Sequence, residues 1–377
     1  MSGEIREPDL GLLARYRRDL HRIPELDFDL DETLAYVREQ LRPLEADPRV
    51  RLFSPCRSTL CCLFDRGGGR ACAVRTDMDA LPVLERTGAA YQSGHPGRMH
   101  ACGHDGHMAM ALGLARHLAL HLDELPRSVL VVFQPAEETT GGAKVVCESG
   151  VFDRLGVDRI FGFHLWPDLP AGQVASRAGA LLAASNEVDV EVRGVSSHIA
   201  KAELGRDALE AAAHVLLDCY AYMGDRRREE SCLLRFGHAT SGAVRNQVSD
   251  LTRLEGSLRT FSVEMGERCR RELPGVAADA AARLGCTCEV RFSEGYPPVV
   301  NDPALFGLVA SALPGLAELP EPLLIAEDFA WYQRHLPGVF LLLGCAPAAP
   351  LHSDAFDFDE AVLMRGLEAY ERIVRIP

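Results

Sequence analysis

The amino-acid sequence predicts an α/β fold: a larger domain with a mostly parallel sheet flanked by helices, over 1–182 and 294–377, interrupted by a smaller α+β domain over 183–293. Three observations carry the expectation. Continuous apolar β-type runs at 60–64, 71–74, 128–133, 159–164 and 339–343 alternate with segments of helical period, the pattern of strands covered by helices on both faces. Between about 186 and 284 the texture changes to a strand that alternates apolar and polar residues, as a sheet with one wet face requires, followed by longer helices. A chain of 377 residues also exceeds what one hydrophobic core usually organises.

Apolar residues at helical spacing over 10–20 predict a first helix, broken by His21-Arg22-Ile23-Pro24. A second helix over 31–41 has Asp31 as its N-cap and Pro43 beyond its end. Strands over 60–64 and 71–74 flank the turn Arg66-Gly67-Gly68-Gly69, and the second runs into Arg75-Thr76-Asp77-Met78-Asp79. The stretch 106–120, rich in Ala, Leu and Met, reads as a buried helix. The run 128–133 ends at Gln134-Pro135-Ala136-Glu137-Glu138, and 159–164 ends at His164 before Trp166-Pro167. In the smaller domain a strand over 186–192 leads through Gly194-Val195-Ser196-Ser197 to a helix over 208–223, then strands over 232–236 and 252–258 and a helix over 263–284. After Gly295-Tyr296-Pro297-Pro298 the first texture returns, and its strand over 339–343 leads to Leu351-His352-Ser353.

Composition narrows the function classes. Lys and Arg number 40 against 54 Asp and Glu, a formal charge of −14, and no cationic run is longer than Arg226-Arg227-Arg228, so nucleic acid and anionic membrane are excluded as partners. The opening Met1-Ser2-Gly3-Glu4-Ile5-Arg6-Glu7 has no basic segment followed by an apolar one, and no apolar run approaches bilayer length, so the expectation is a cytoplasmic protein. Twelve cysteines are irregularly spaced and sit in apolar segments such as Thr59-Leu60-Cys61-Cys62-Leu63-Phe64, which reads as reduced core thiols.

The chemistry centres on Met99-His100-Ala101-Cys102-Gly103-His104-Asp105-Gly106-His107, three imidazoles and a thiol between an extended segment and a helix. A Cys-x-His pair on extended chain points both side chains the same way, toward one ion. Such a pair alone is ordinary core, but the rest of the chain supplies carboxylates and further histidines at strand ends, where sites gather in parallel sheets. Cys102, His104, Glu138, His164 and His352 are the candidate ligands of two metal ions. Neighbours at a strand end project to opposite sides, so of Glu137-Glu138 one carboxylate binds metal and the other stays free as a base. Thiolate with imidazole favours zinc, and a two-metal carboxylate site also takes manganese, cobalt or nickel. Two such ions polarise a carbonyl and acidify a water, a combination suited to hydrolysis.

The segments Arg17-Arg18-Asp19-Leu20-His21-Arg22-Ile23-Pro24-Glu25-Leu26, 75–82, 99–107, Phe133-Gln134-Pro135-Ala136-Glu137-Glu138, Gly162-Phe163-His164, Glu327-Asp328-Phe329, and Leu351-His352-Ser353 with Phe356-Asp357-Phe358-Asp359-Glu360 occur in an order known elsewhere. In these motifs, over nearly its whole length, the chain resembles the N-acyl-amino-acid amidohydrolases, the aminoacylase, hippurate hydrolase and indoleacetyl-amino-acid hydrolase group of dinuclear metallopeptidases. The resemblance implies hydrolysis of the amide of small N-acyl amino acids, metal ligation by Cys102, His104, Glu138, His164 and His352, and Glu137 as general base. It also implies that the smaller domain is a lid through which the chain forms a homodimer, with His198 and Asn246 reaching the substrate.

Departures fall in the lid: Gly194-Val195-Ser196-Ser197-His198-Ile199-Ala200-Lys201 replaces a Gly-Gly-His segment with a following Pro-His pair, and Asn246-Gln247-Val248-Ser249-Asp250 replaces Asn-Val-Ile-Pro-Asp. Asp354 stands where Pro often follows the His-Ser pair. Chemistry therefore transfers more firmly than substrate identity. Arg259 is a candidate for gripping a substrate carboxylate, and Asp79 for orienting a ligand imidazole from behind. His100 and His107 are also candidates for orienting the ligands from behind, with the core-histidine reading favoured for each, and His21, His117, His121, His214 and His335 read as structural. Two rival readings are a cysteine hydrolase using Cys102 with His104 as base, and a non-catalytic homologue that binds metal or ligand.

Overall fold

The computed structural model describes residues 5–139 and 141–377; the first four residues of the opening segment lie outside them. The chain forms two compact units. One comprises the chain through Gly179, Val300–Glu321 and Asp328–Pro377; the other comprises Ala180–Val299 and Pro322–Glu327. The boundary drawn at 183–293 thus moves to 180–299, and a short later segment, Pro322–Glu327, joins the second unit without any compositional mark.

Among the described residues of the first unit, eight strands form one sheet in the order Val50–Phe53, Leu60–Phe64, Ser128–Gln134, Ala71–Asp77, Val157–Pro170, Gly338–Ala346, Val174–Ser176, Ala317–Glu318. The four central strands, from Ser128–Gln134 to Gly338–Ala346, run parallel. Every residue of Leu60–Phe64, Ala71–Asp77 and Ser128–Gln134 is buried, which is why 60–64, 71–74 and 129–133 are written as unbroken apolar runs, with the polar residues confined to the strand ends. The register sets Asp77 beside Gln134, and Leu342 beside His164. Polar side chains of separate strands thereby meet at the carboxyl end of the sheet.

Helix His104–Leu120 is buried on nearly every side and packs against Leu10–His21 and Val362–Ile373. The approach is close: a side chain at Gly366 would collide with Met110 Sδ, and a Cβ at Gly113 would stand 2.6 Å from Leu13 Cδ2. The helix starts at His104 rather than at 106, so His104 occupies its first turn. Helix Asp31–Leu41 corrects a cap assignment. Asp31 is its first helical residue and not the N-cap; the free N–H groups of Glu32 and Thr33 are met instead by the Glu25 carboxylate, at 3.2 and 2.8 Å.

In the second unit, strands Thr287–Phe292, Ala184–Arg193, Leu251–Thr260 and Cys232–Ser241 form an antiparallel sheet in that order. Ala184–Arg193 buries alternate residues, and Val188, Val190 and Val192 meet helices Ala208–Arg226 and Val263–Ala282. Those helices start on side-chain caps, Asp207 accepting from Leu209 N and Ser262 from Met265 N. Strand Thr287–Phe292, not read from the sequence, alternates exposed with half-buried residues, with Cys288, Val290 and Phe292 on its inner side.

Candidate metal centre

Local backbone conformation delivers the candidate ligands. Gly103, at φ +88°, turns the extended chain of Cys102 directly into the helix that begins with His104, and a Cβ there would stand 2.9 Å from Leu165 Cδ1. Ala136, just before the paired glutamates, and His352 both hold left-handed backbone, at φ 55° and 64°, which costs a non-glycine residue about 1–2 kcal/mol. The surrounding structure maintains that strain at two positions of one site. Asp79 anchors the glutamate pair: its carboxylate accepts the backbone N–H of Glu137 at 2.9 Å and of Glu138 at 3.0 Å.

These elements bring Cys102, His104, Glu137, Glu138, His164 and His352 together. Cys102 Sγ lies 3.3 Å from His164 Nε2, His104 Nε2 3.8 Å from Glu138 Oε1, and His352 Nε2 3.5 Å from Glu138 Oε2. Cys102–His104–His164, Cys102–Glu138–His352 and His104–Glu137–Glu138 each keep their ligand atoms within 4.8 Å of one another. All but His352 are buried in side chain, and the exposed His352 marks the open side. Glu137 is held by Asp328, whose backbone N–H reaches Oε1 at 3.4 Å.

Hydrogen bonds set the ring orientations. His104 Nδ1 donates to the Asp79 carbonyl at 2.8 Å and His164 Nδ1 to the Leu165 carbonyl at 2.6 Å, so both rings turn the Nε2 lone pair inward. Asp79 therefore orients His104 through its main chain, while its carboxylate serves the glutamates. Burial lowers the proton affinity of His104 and His164, the latter to about 3, which keeps both imidazoles neutral as ligation requires. Burial, then the Glu138 and Glu137 carboxylates, push the Cys102 thiol well above its ordinary range. Burial, then Asp79, push Glu138 up to about 8.

The donor set fits divalent ions. His104 Nε2 and Glu138 Oε1 are buried without a hydrogen-bond partner among the described residues, and each such atom costs about 1–3 kcal/mol unless something satisfies it. Thiol, imidazole and carboxylate are the donors that zinc and its neighbours take. A Cys102 nucleophile with His104 as base is not what this geometry offers: the thiol faces His164 and two carboxylates, which oppose the thiolate, and His104 Nδ1 is committed to a carbonyl.

Behind the cluster stands a layer in which the sequence reading named His107 as a candidate, but not Arg75 or Asp77. His107, favoured there as a core histidine, donates from Nδ1 to Asp77 at 2.7 Å and accepts the Leu165 N–H on Nε2 at 2.8 Å, its ring 4.7 Å from that of His164. Asp77 is bound in turn by Arg75, whose guanidinium also reaches Gln134 and Asp328, all three at 2.8 Å. Two signals were available: Arg75 and Asp77 are polar at i and i+2 of an apolar strand, and His107 follows His104 by three on a helix.

The remaining candidates belong to the second unit. His198 is exposed and caps the short helical segment Ile199–Leu204; its Nδ1 accepts the Ala200 N–H at 3.1 Å, which leaves the proton on Nε2. Ile199 N donates to the Asn246 carbonyl at 2.9 Å, so His198 and Asn246 lie on paired segments. Arg259 stands apart on strand Leu251–Thr260, half-buried and without an ion-pair or hydrogen-bond partner among the described residues, and burial lowers its pKa.

Comparison with known proteins agrees with this architecture. Residues 73–376 match the peptidase family M20/M25/M40. N-acetyl-L-cysteine deacetylase of Bacillus subtilis (strain 168) is 34% identical over 358 residues, 94% of this chain and 85% of that protein. An uncharacterized hydrolase of Staphylococcus saprophyticus is 32% identical over 97% of both chains. The crystal structure of a dinuclear metal-binding M20 peptidase from Bacillus subtilis superposes with a TM-score of 0.85 at 30% identity, covering 97% of this chain and 98% of that one. The family match spans most of the chain, and the protein accordingly belongs to peptidase family M20/M25/M40 and is a metallo-hydrolase of that family.

Proposed function

We propose that the protein hydrolyses the amide bond of small N-acyl amino acids, releasing the amino acid and a carboxylic acid, with two divalent ions held by Cys102, His104, Glu138, His164 and His352. The observation that supports this most is the overlap of the ligand-sized groups, which share Cys102 and Glu138, beside a carboxylate, Glu137, held from its main chain and its tip. When bound, the ions, zinc or manganese first, supply Lewis acidity for the scissile carbonyl and for the attacking water. Glu137 takes the proton of that water and passes it to the departing amine nitrogen. His198, with its proton on Nε2, is a hydrogen-bond donor to the carbonyl oxygen as negative charge develops there, presented by a neighbouring copy in a dimer built through the second unit. Asn246 assists, and Arg259 grips the substrate carboxylate.

The identity with an N-acetyl-L-cysteine deacetylase supports acyl amino acids as the substrate class. Turnover of N-acetyl, N-benzoyl and longer N-acyl amino acids, measured with zinc, manganese, cobalt and nickel, tests the proposal. Activity should vanish with chelator, return with metal and fall at least tenfold on carboxamide analogues that lack the free carboxylate. Chelator-resistant turnover, or equal rates on acid and amide, would overturn it.

A further inference from the structure

At the far end of helix His104–Leu120 from the cluster, the same helix carries a second set of metal-ligating side chains. His117 lies in its last turn and His121 is its C-cap, four residues on and hence on the same face, with ring centroids 4.4 Å apart. Glu7 spans both rings, its Oε2 3.2 Å from His117 Nδ1 and its Oε1 2.5 Å from His121 Nε2. Glu371 brings a second carboxylate to 3.3 Å from the same His117 Nδ1. The ligand atoms of Glu7, His117 and His121 lie within 4.8 Å of one another.

We propose that Glu7, His117 and His121, with Glu371 as a fourth donor, form a binding site for a divalent transition ion of zinc's class, separate from the ions that serve hydrolysis. Ordinary ion pairing leaves the arrangement incomplete. A protonated His121 serves Glu7 and Glu124, at Nε2 and Nδ1, but the single His117 Nδ1 faces two carboxylates and carries one proton at most. Three carboxylates, Glu7, Glu124 and Glu371, gather on the two imidazoles, and Arg375, paired with Glu124 at 3.3 Å, is the permanent cation set against them among the described residues. Their excess negative charge adds to the negative end of the helix dipole. One dication answers all of these, and two imidazoles with one or two carboxylates are a tetrahedral donor set. Partial exposure of Glu7, His121 and Glu371 leaves a path for the ion.

Protons balance as follows. Arg375 Nη2 stands 3.4 Å from His117 Nε2 and only donates, so without an ion the His117 proton sits on Nδ1. On binding, that proton moves to Nε2, Arg375 rests on Glu124, from which its Nη1 and Nη2 already stand 3.3 Å, and His121 releases its extra proton to solvent. The ion would tie the segment ahead of helix Leu10–His21 to the end of His104–Leu120.

The test uses tag-free full-length protein dialysed against buffered free zinc, with zinc per chain read by mass spectrometry. Wild type should retain one more zinc per chain than H117A/H121A, and the two should hydrolyse substrate at the same rate. In wild type, the zinc that fills this site should slow amide hydrogen exchange at residues 5–9 at least tenfold, a readout that stands if the double variant fails to fold. Equal zinc in wild type and E7Q/H121A, or unchanged exchange at 5–9, would overturn the proposal.

Discussion

Replacing Arg75 with Met is the sharpest test of how the centre is held. Its guanidinium is fully buried and bridges Asp77 and Asp328, each also fully buried and each 2.8 Å away. Methionine keeps most of the volume and removes the charge. Asp77 would keep the His107 Nδ1–H, and Asp328 would keep Gln134 Nε2 and Ala143 N, so neither carboxylate loses every donor, but both lose their cation. Breaking a buried ion pair from one side costs about 3–5 kcal/mol, a large part of a typical stability of about 5–15 kcal/mol. For a unit of this size that lowers the melting temperature by roughly 6–20 °C. Both tryptophans, Trp166 and Trp331, belong to the first unit, so tryptophan fluorescence on heating reports that unit alone. R75M/D77N/D328N, which removes the stranded charges as well, should melt above R75M. A shift below about 2 °C for R75M, or a triple variant less stable than the single one, would refute the idea that charge compensation rather than shape carries the network.

Glu137→Gln should retain wild-type metal content and lose about 10²–10⁴ in kcat, since the amide keeps the shape and the Oε1 contact to Asp328 but cannot take a proton; near-normal turnover would exclude Glu137 as base. His198→Ala should lower kcat about 10²–10³ with metal unchanged, and mixed dimers of H198A with E137Q chains should regain activity. No recovery in proven mixed dimers would mean that His198 does not serve a neighbouring copy. His21 supplies a pH signature: burial opposes its charge, but the Asp105 carboxylate at 2.7 Å and Glu85 hold it protonated up to about 9. A folded pKa above the unfolded value of about 6.5 contributes stability, on the order of 3 kcal/mol, that is complete below about pH 6.5 and lost as pH rises through 9. The stability gap between wild type and H21N should therefore narrow between pH 7 and 10, whereas a constant gap would show that His21 contributes by packing alone.

Sequence by itself was enough for whatever is set by neighbours along the chain. Apolar runs and helical period marked the central strands and the long helices because burial on both faces, or on one stripe, is written locally. Cys102-x-His104 and Glu137-Glu138 were legible for the same reason, each being a short spacing on a predictable backbone. Only the tertiary structure decided the rest. In a strand buried on every residue, such as Ala71–Asp77, alternation does not say what a polar side chain faces, so Arg75 and Asp77 showed no partner until Asp328, 253 residues beyond Arg75, came to lie beside them. The cap of helix Asp31–Leu41 was misread because Glu25 reaches it across a loop. Ring orientations at His104, His107 and His164 depend on which carbonyl or N–H the fold puts behind each nitrogen. Covalent spacing fixes which groups are close along the chain, but the desolvation and pairing of buried charge depend on contacts far apart in it.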